Sequence, residues 1–266
     1  MSDRREYQRD FSQIHPETMF DESGRLKKAR KTVAVLQDAV RSAGLEPSRA
    51  RVLDIGCSTG ILTRYYADFF GEVVGIDIDD GAVDWARRNR AAPNISYRIG
   101  DSMELPFPDQ DFEIVTCTHI YEHVPDAQRM LDEIFRVLKP GGVCYFAAEN
   151  RLRLWEGHHR LPLLSLLPKW LGHLYVRLAG RGDRFYETHR TLWGLRRLTR
   201  RFEIIDYTIP VVRDPLRYEA TDIIAPGTLK QRFALAMLTA AYWAFPTYLW
   251  VLRKKMGSAS KNDTRR

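Results

Sequence analysis

Val52-Leu53-Asp54-Ile55-Gly56-Cys57-Ser58-Thr59-Gly60 is an apolar run that carries one acid and then breaks into small residues. Such a run reads as a buried strand emptying into a tight turn, and the apolar pattern resuming at Leu62 reads as a helix. Gly56 and Gly60 allow a close ligand approach to the main chain, and the helix start offers N–H groups without intrahelical partners.

Working outward, short apolar runs recur at 51–55, 73–76, 95–99, 114–118 and 143–148, with helical patterns at 62–70, 82–89 and 127–138. Strands alternating with helices predict an α/β protein with a parallel sheet covered on both faces. Upstream, Ser23 is the expected N-cap of a helix reaching about Ser42 and stopped by Gly44. Lys139-Pro140-Gly141-Gly142 reads as a helix stop and tight turn before the fifth strand. A helix at 192–199 and a strand at 202–209 are expected to complete the sheet.

A second strand ends in Val73-Val74-Gly75-Ile76-Asp77-Ile78-Asp79, and Asp77 stands where a carboxylate grips ribose hydroxyls in open α/β folds. A third ends in Gly100-Asp101-Ser102-Met103, placing another acid at the same edge. These residues resemble the class I S-adenosylmethionine-dependent methyltransferases over about residues 50–150, and Leu138-Lys139-Pro140-Gly141-Gly142 adds to the resemblance. The resemblance implies a Rossmann-like, doubly wound, mostly parallel seven-stranded sheet, here with a helical insertion and a C-terminal apolar helical segment. It implies S-adenosyl-L-methionine as cofactor. Asp54, Gly56 and Gly60 would shape the methionine pocket and Asp77 would hold the ribose, with Cys57, Ser58 and Ile78 also bordering the cofactor. Asp101 would face the adenine with Ser102 or Met103 beside the ring, and His119 would border the cofactor. Ser58 replaces a frequent middle glycine, which counts against a dinucleotide-dependent oxidoreductase.

The fourth strand ends in Thr118-His119-Ile120-Tyr121-Glu122-His123-Val124-Pro125, which resembles the donor–acceptor junction of ubiquinone-type O-methyltransferases, as does Ala147-Ala148-Glu149-Asn150-Arg151. An oxygen acceptor must lose its proton, and histidine suits that task near neutral pH. His123 or His119 is the first candidate base, with Glu149, His158 and His159 behind them; a histidine after a strand can equally cap a turn. The histidines lack recognisable metal-ligand spacing, and no metal is expected.

The expected divisions are an N-terminal arm (1–22), a cofactor-binding core (23–150), an insertion or acceptor lid (151–190), the end of the core sheet (191–227) and an apolar, basic segment (228–266). In the insertion Trp170, Leu171, Leu174, Tyr175 and Leu178 share one helical face, which either packs on the domain or forms a greasy lid. Residues 234–252 carry no charge and are just long enough to cross a bilayer, but Pro246 breaks the helix. The expectation is a helix lying in an anionic cytoplasmic leaflet; a buried helix or dimer seam is the alternative.

The chain has 266 residues, 44% hydrophobic, with a formal charge of +7. Positive surface attracts any polyanion, but no nucleic-acid motif interleaves with the basic clusters, so nucleic acid is the least expected partner. Cys57, Cys117 and Cys144 form no CxxC pair, and residues 1–10 lack the apolar run of a signal peptide, pointing to a cytoplasmic protein; the reading of 234–252 adds a peripheral place at the inner face of the membrane. The leading reading is O-methylation of a lipid-linked glycan, glycolipid or quinone-like acceptor. A soluble sugar or natural product is the alternative acceptor, and a non-catalytic cofactor-binding module the alternative class; an oligomer is left open.

Overall fold

The computed structural model describes residues 11–14 and 16–255; the first part of the arm, the signal-peptide reading and the basic tail from 256 lie outside the described residues. The chain begins with α1 (Phe11–Ile14), α2 (Pro16–Met19) and α3 (Glu22–Ser42), then alternates through β1 (Arg51–Ile55), α4 (Ile61–Tyr66), β2 (Glu72–Asp77), α5 (Asp80–Asn89) and β3 (Ile95–Ile99). It continues through β4 (Phe112–Thr118), α6 (Ala127–Val137) and β5 (Leu138–Glu149). The insertion holds a short hairpin, β6 (Trp155–Glu156) and β7 (Leu161–Pro162), followed by α7 (Lys169–Leu178). α8 (Leu192–Leu198), β8 (Glu203–Asp206), α9 (Thr208–Arg213), α10 (Leu229–Ala240) and β9 (Thr247–Arg253) follow.

One seven-stranded sheet runs β3-β2-β1-β4-β5-β9-β8. β1 to β5 pair in parallel, and β9 lies antiparallel between β5 and β8. Successive strand residues serve opposite faces. Leu53, Ile55, Val115 and Cys117 pack with Met130, Leu131 and Ile134 of α6 on one side. Val52, Ile114, Val143 and Tyr145 pack with Val33, Leu36 and Val40 of α3 on the other. Being buried on both faces, these strands read as continuous apolar runs rather than alternating ones. From neighbouring β1 and β4 the chain winds outward in opposite directions, which opens a crevice at their C-terminal ends.

Several local expectations need correction. Asp21, not Ser23, caps α3, its carboxylate accepting the Gly24 N–H at 3.0 Å. Lys139–Gly142 is no separate turn; β5 starts at Leu138 and runs through it, with a register shift opposite Phe112 and Ile114 of β4. The strand expected over 202–209 ends at Asp206, whose carboxylate accepts the Thr208 N–H at 2.7 Å and turns the chain into α9.

The largest departure is 234–252, which is helical only to Ala240, turns through Tyr242–Ala244 and then enters the sheet as β9. In β9 Tyr248, Trp250 and Leu252 fill one face of the sheet while Val251 and Leu249 serve the other. The period over 247–252 is therefore two, not 3.6. Among the described residues no helix is long and apolar enough to cross a membrane.

Candidate cofactor and acceptor site

The crevice is lined by the tips of β1, β2, β3 and β4, by α3, by the arm and by the insertion. Asp54, near the end of β1, is buried and accepts hydrogen bonds from Thr63 and Thr116 hydroxyls, each at 2.6 Å. Burial raises its pKa to about 6 against those two bonds. Gly56 follows with φ +73°, and a Cβ there would stand 2.2 Å from Ile120 Cδ1, so only glycine keeps main chain and β4 loop this close. Ser58 also lies in the left-handed region, at φ +50°.

Asp77 closes β2. Its Oδ2 accepts the Ser58 N–H at 2.7 Å and its Oδ1 the Asp79 N–H at 3.0 Å. Those bonds aim the carboxylate at the crevice, although burial still raises its pKa. Ile78, Asp101 and Ser102 complete this end, and Asp101 Oδ1 accepts the Met103 N–H at 2.8 Å. Three of the expected cofactor residues do not line the crevice. Cys57 is buried against Val83, Ala86 and Tyr97 on the α5 side, and Met103 is in the core beneath α6. Gly60 caps α4 at φ +73°, with Tyr97 where its Cβ would be. Their side-chain positions serve packing and turn geometry.

At the other end, His119 (φ +56°), Ile120, His123 and Val124 come from the loop after β4. His123 Nδ1 is 3.8 Å from a carboxylate oxygen of Glu187, and its ring meets those of Phe11 and His158 edge-on at 5.2 and 4.9 Å. Burial lowers the His123 pKa to about 4 and also lowers those of His119 and His158. Burial opposes charge on Glu187, but His159 Nε2 at 3.5 Å and the nearness of His123 and His158 keep its carboxyl well below the usual range. The same partner holds the His159 pKa above its ordinary value despite burial. Glu149 does not line the crevice; it pairs with Arg153 and with His189 Nε2 at 3.2 Å.

Sequence reasoning overlooked four contributors. Arg25 and Lys28 of α3 line the crevice from the face opposite the β-strand acids, and burial lowers the pKa of each. Arg25 lies in the field of Asp54 and Asp77, and its Nε is buried without a hydrogen-bond partner. The basic crowd at 25–30 was the available signal. Met19 of the arm lies over Ser58, whose hydroxyl is 3.1 Å from its sulfur. Glu187 reaches the site from the far end of the insertion, and nothing local in the sequence marks it. Two groups, His123, His158 and Glu187 and then Glu122, Glu149 and His189, bring metal-type donor atoms within 4.8 Å of one another.

The donor set suits a nucleoside bearing a zwitterionic tail. A carboxylate fixed by main-chain bonds can accept from a diol, a second acid can accept from an exocyclic amine, and paired cations beside a glycine turn can hold a carboxylate. Strand order and crevice together define the Rossmann-like fold of class I methyltransferases, with S-adenosylmethionine as the implied cofactor. More particularly, residues 53–146 match the family described as a methyltransferase domain.

The ubiquinone biosynthesis O-methyltransferase of Coxiella burnetii is 37% identical over 102 residues, 38% of this chain and 44% of that one. The demethylmenaquinone methyltransferase of Symbiobacterium thermophilum is 40% identical over 107 residues, 37% of this chain and 43% of that one. The chain thus spans less than half the length of these curated relatives. Among solved structures, an S-adenosylmethionine dependent methyltransferase from Mesorhizobium loti shares the fold with a TM-score of 0.53 at 19% identity, over 82% of this chain and 97% of that one.

Proposed function

We propose that this chain transfers the methyl group of S-adenosylmethionine to an oxygen of a lipid-linked glycan, glycolipid or quinone-like acceptor at a membrane surface. The supporting observation is that one continuous crevice has the strand-tip acids Asp77 and Asp101 at one end and His119, His123 and His158 at the other. In this reading Asp77 takes the ribose hydroxyls, Asp101 and Ser102 face the adenine, and Gly56 lets the main chain pass beneath the methionine portion. Arg25 and Lys28 neutralise the methionine carboxylate, and Asp54 braces the turn. The cofactor, when bound, supplies a methyl group on a cationic sulfur.

His123 takes the hydroxyl proton of the acceptor. With a pKa of about 4 it is neutral at physiological pH, the protonation state a base requires. Glu187 orients that imidazole and steadies the charge it acquires, while His119 and His158 shape the acceptor wall. Glu149, tied to Arg153 and His189, supports the wall and is not the base. Phe11 and Met19 of the arm, with the insertion, exclude water so that acceptor oxygen and methyl carbon stay aligned. Cytoplasmic placement on the inner face of the membrane goes with this reading.

Calorimetry with S-adenosylmethionine, followed by transfer of labelled methyl to membrane-lipid extract, tests it. Micromolar binding and a labelled lipid are expected. No binding ends the cofactor assignment; binding without transfer to any extract component favours a non-catalytic module.

A further inference from the structure

The insertion carries an apolar face that no described residue covers. On α7, Gly172 and Val176 are buried, packing beside Leu164 and Phe185. One turn apart on the opposite side, Trp170, Leu174 and Leu178 are 67%, 42% and 78% exposed. The sequence puts Trp170, Leu171, Leu174, Tyr175 and Leu178 on one face, packing or lid; in the structure the Gly172–Val176 side packs, with Tyr175 against it. The hairpin adds exposed Leu154 and Trp155, and Leu163 and Leu166 follow it. A single exposed leucine is ordinary, but a cluster of large apolar groups within one short segment marks a contact surface.

Charge selects the occupant. Of the acids in 151–190, Glu156 and Glu187 are buried and only Asp183 is exposed, whereas Arg160, Lys169, Arg177, Arg181 and Arg184 all lie on the surface. A second copy docked through the same face across a two-fold axis would set these cations against themselves. An anionic bilayer meets both requirements, since its headgroups attract arginine and lysine while its acyl boundary accepts tryptophan and leucine.

We propose that this face, centred on Trp170, Leu174 and Leu178, seats the protein on an anionic lipid bilayer. The assignment moves membrane contact from the C-terminal segment, whose second half is a buried strand, to the insertion. It rests on the reading of a membrane-borne acceptor and deepens it, because the same segment carries His158 to the crevice and Glu187 to its His123.

The test is co-sedimentation of the full chain with vesicles of phosphatidylcholine alone or with about a third phosphatidylglycerol. Wild-type protein is expected to bind the anionic vesicles about tenfold more tightly than the neutral ones. Joint replacement Trp170→Glu, Leu174→Glu and Leu178→Glu is expected to lower binding at least ~tenfold while leaving calorimetric affinity for S-adenosylmethionine unchanged. If the triple variant also loses cofactor affinity, Trp170→Ser alone replaces it, and its vesicle binding decides. The proposal is overturned if wild-type protein ignores both vesicles, if the variant binds like wild type, or if the substitutions instead dissociate a lipid-free dimer seen by sedimentation velocity. Vesicle binding without cofactor binding keeps the docking surface and defeats the methyltransferase reading.

Discussion

At Asp77 both carboxylate oxygens already accept a main-chain N–H, so the side chain is aimed before any ligand arrives. Asp77→Ala should therefore weaken calorimetric S-adenosylmethionine binding by at least about tenfold, the loss of one charge-assisted bond pair. His123→Ala should separate differently: cofactor affinity within about threefold of wild type and turnover down roughly a hundredfold. Unchanged turnover would take His123 out of the chemistry. Gly56→Ala sets a Cβ into Ile120 at φ +73°, and chemical denaturation should show a loss of about 1–2 kcal/mol or more. The crevice residues Asp54, Gly56, Ser58, Asp77, Asp101 and His119 are readable from sequence because each sits at or just beyond a strand tip, where topology alone sends it to one edge. Arg25 and Lys28 reach the same crevice from a preceding helix, and Glu187 stands behind its His123 wall from a distant insertion. Their placement depends on tertiary packing that no local pattern encodes.

Among the elements, β1 and β3 have the bounds that their apolar runs predict, while β9 was hidden. Tyr248, Trp250 and Leu252 alternate with Leu249 and Val251, but β9 is buried on both faces, so its pattern blends with the apolar helix before it. Length and absence of charge then mimic a membrane segment. Asn150 shows what holds the turn between them: its side-chain amide donates to the carbonyls of Trp243 and Phe245 at 2.8 and 2.9 Å. Trp250 is 1% exposed and donates its indole N–H to the Tyr242 hydroxyl at 3.0 Å. Trp250→Ala should cost about 3–5 kcal/mol in urea unfolding. A loss below about 1 kcal/mol would mean that β9 is not part of the core.

For the molecule as a whole, the histidines around the crevice, buried or half-buried, set an acid limit. His119, His123, His158 and His189 all have folded-state pKa values below the ordinary 6.5 because burial disfavours their charged forms. The unfolded chain therefore binds more protons than the native one over this range, and stability held above about pH 6.5 is lost as pH falls toward about 4. Glu122, lowered to about 2 by His119 and His123 against its burial, acts in the same sense, while His159 and the buried Asp54 and Asp77, whose pKa values are raised, oppose it. Thermal unfolding followed from neutral pH downward should show a steadily falling midpoint. A midpoint that rises on acidification would show that the raised groups, Asp54, Asp77 and His159, outweigh these imidazoles.

The position of β9 between β5 and β8 also bears on biogenesis. A ribosome delivers β8 well ahead of β9, its one strand partner among the described residues, so until Thr247–Arg253 emerges the nascent polypeptide has two open strand edges to shield. Vectorial synthesis thus leaves the central zipper of this half for last, and a stop codon before Thr247 should yield an aggregate rather than a smaller enzyme.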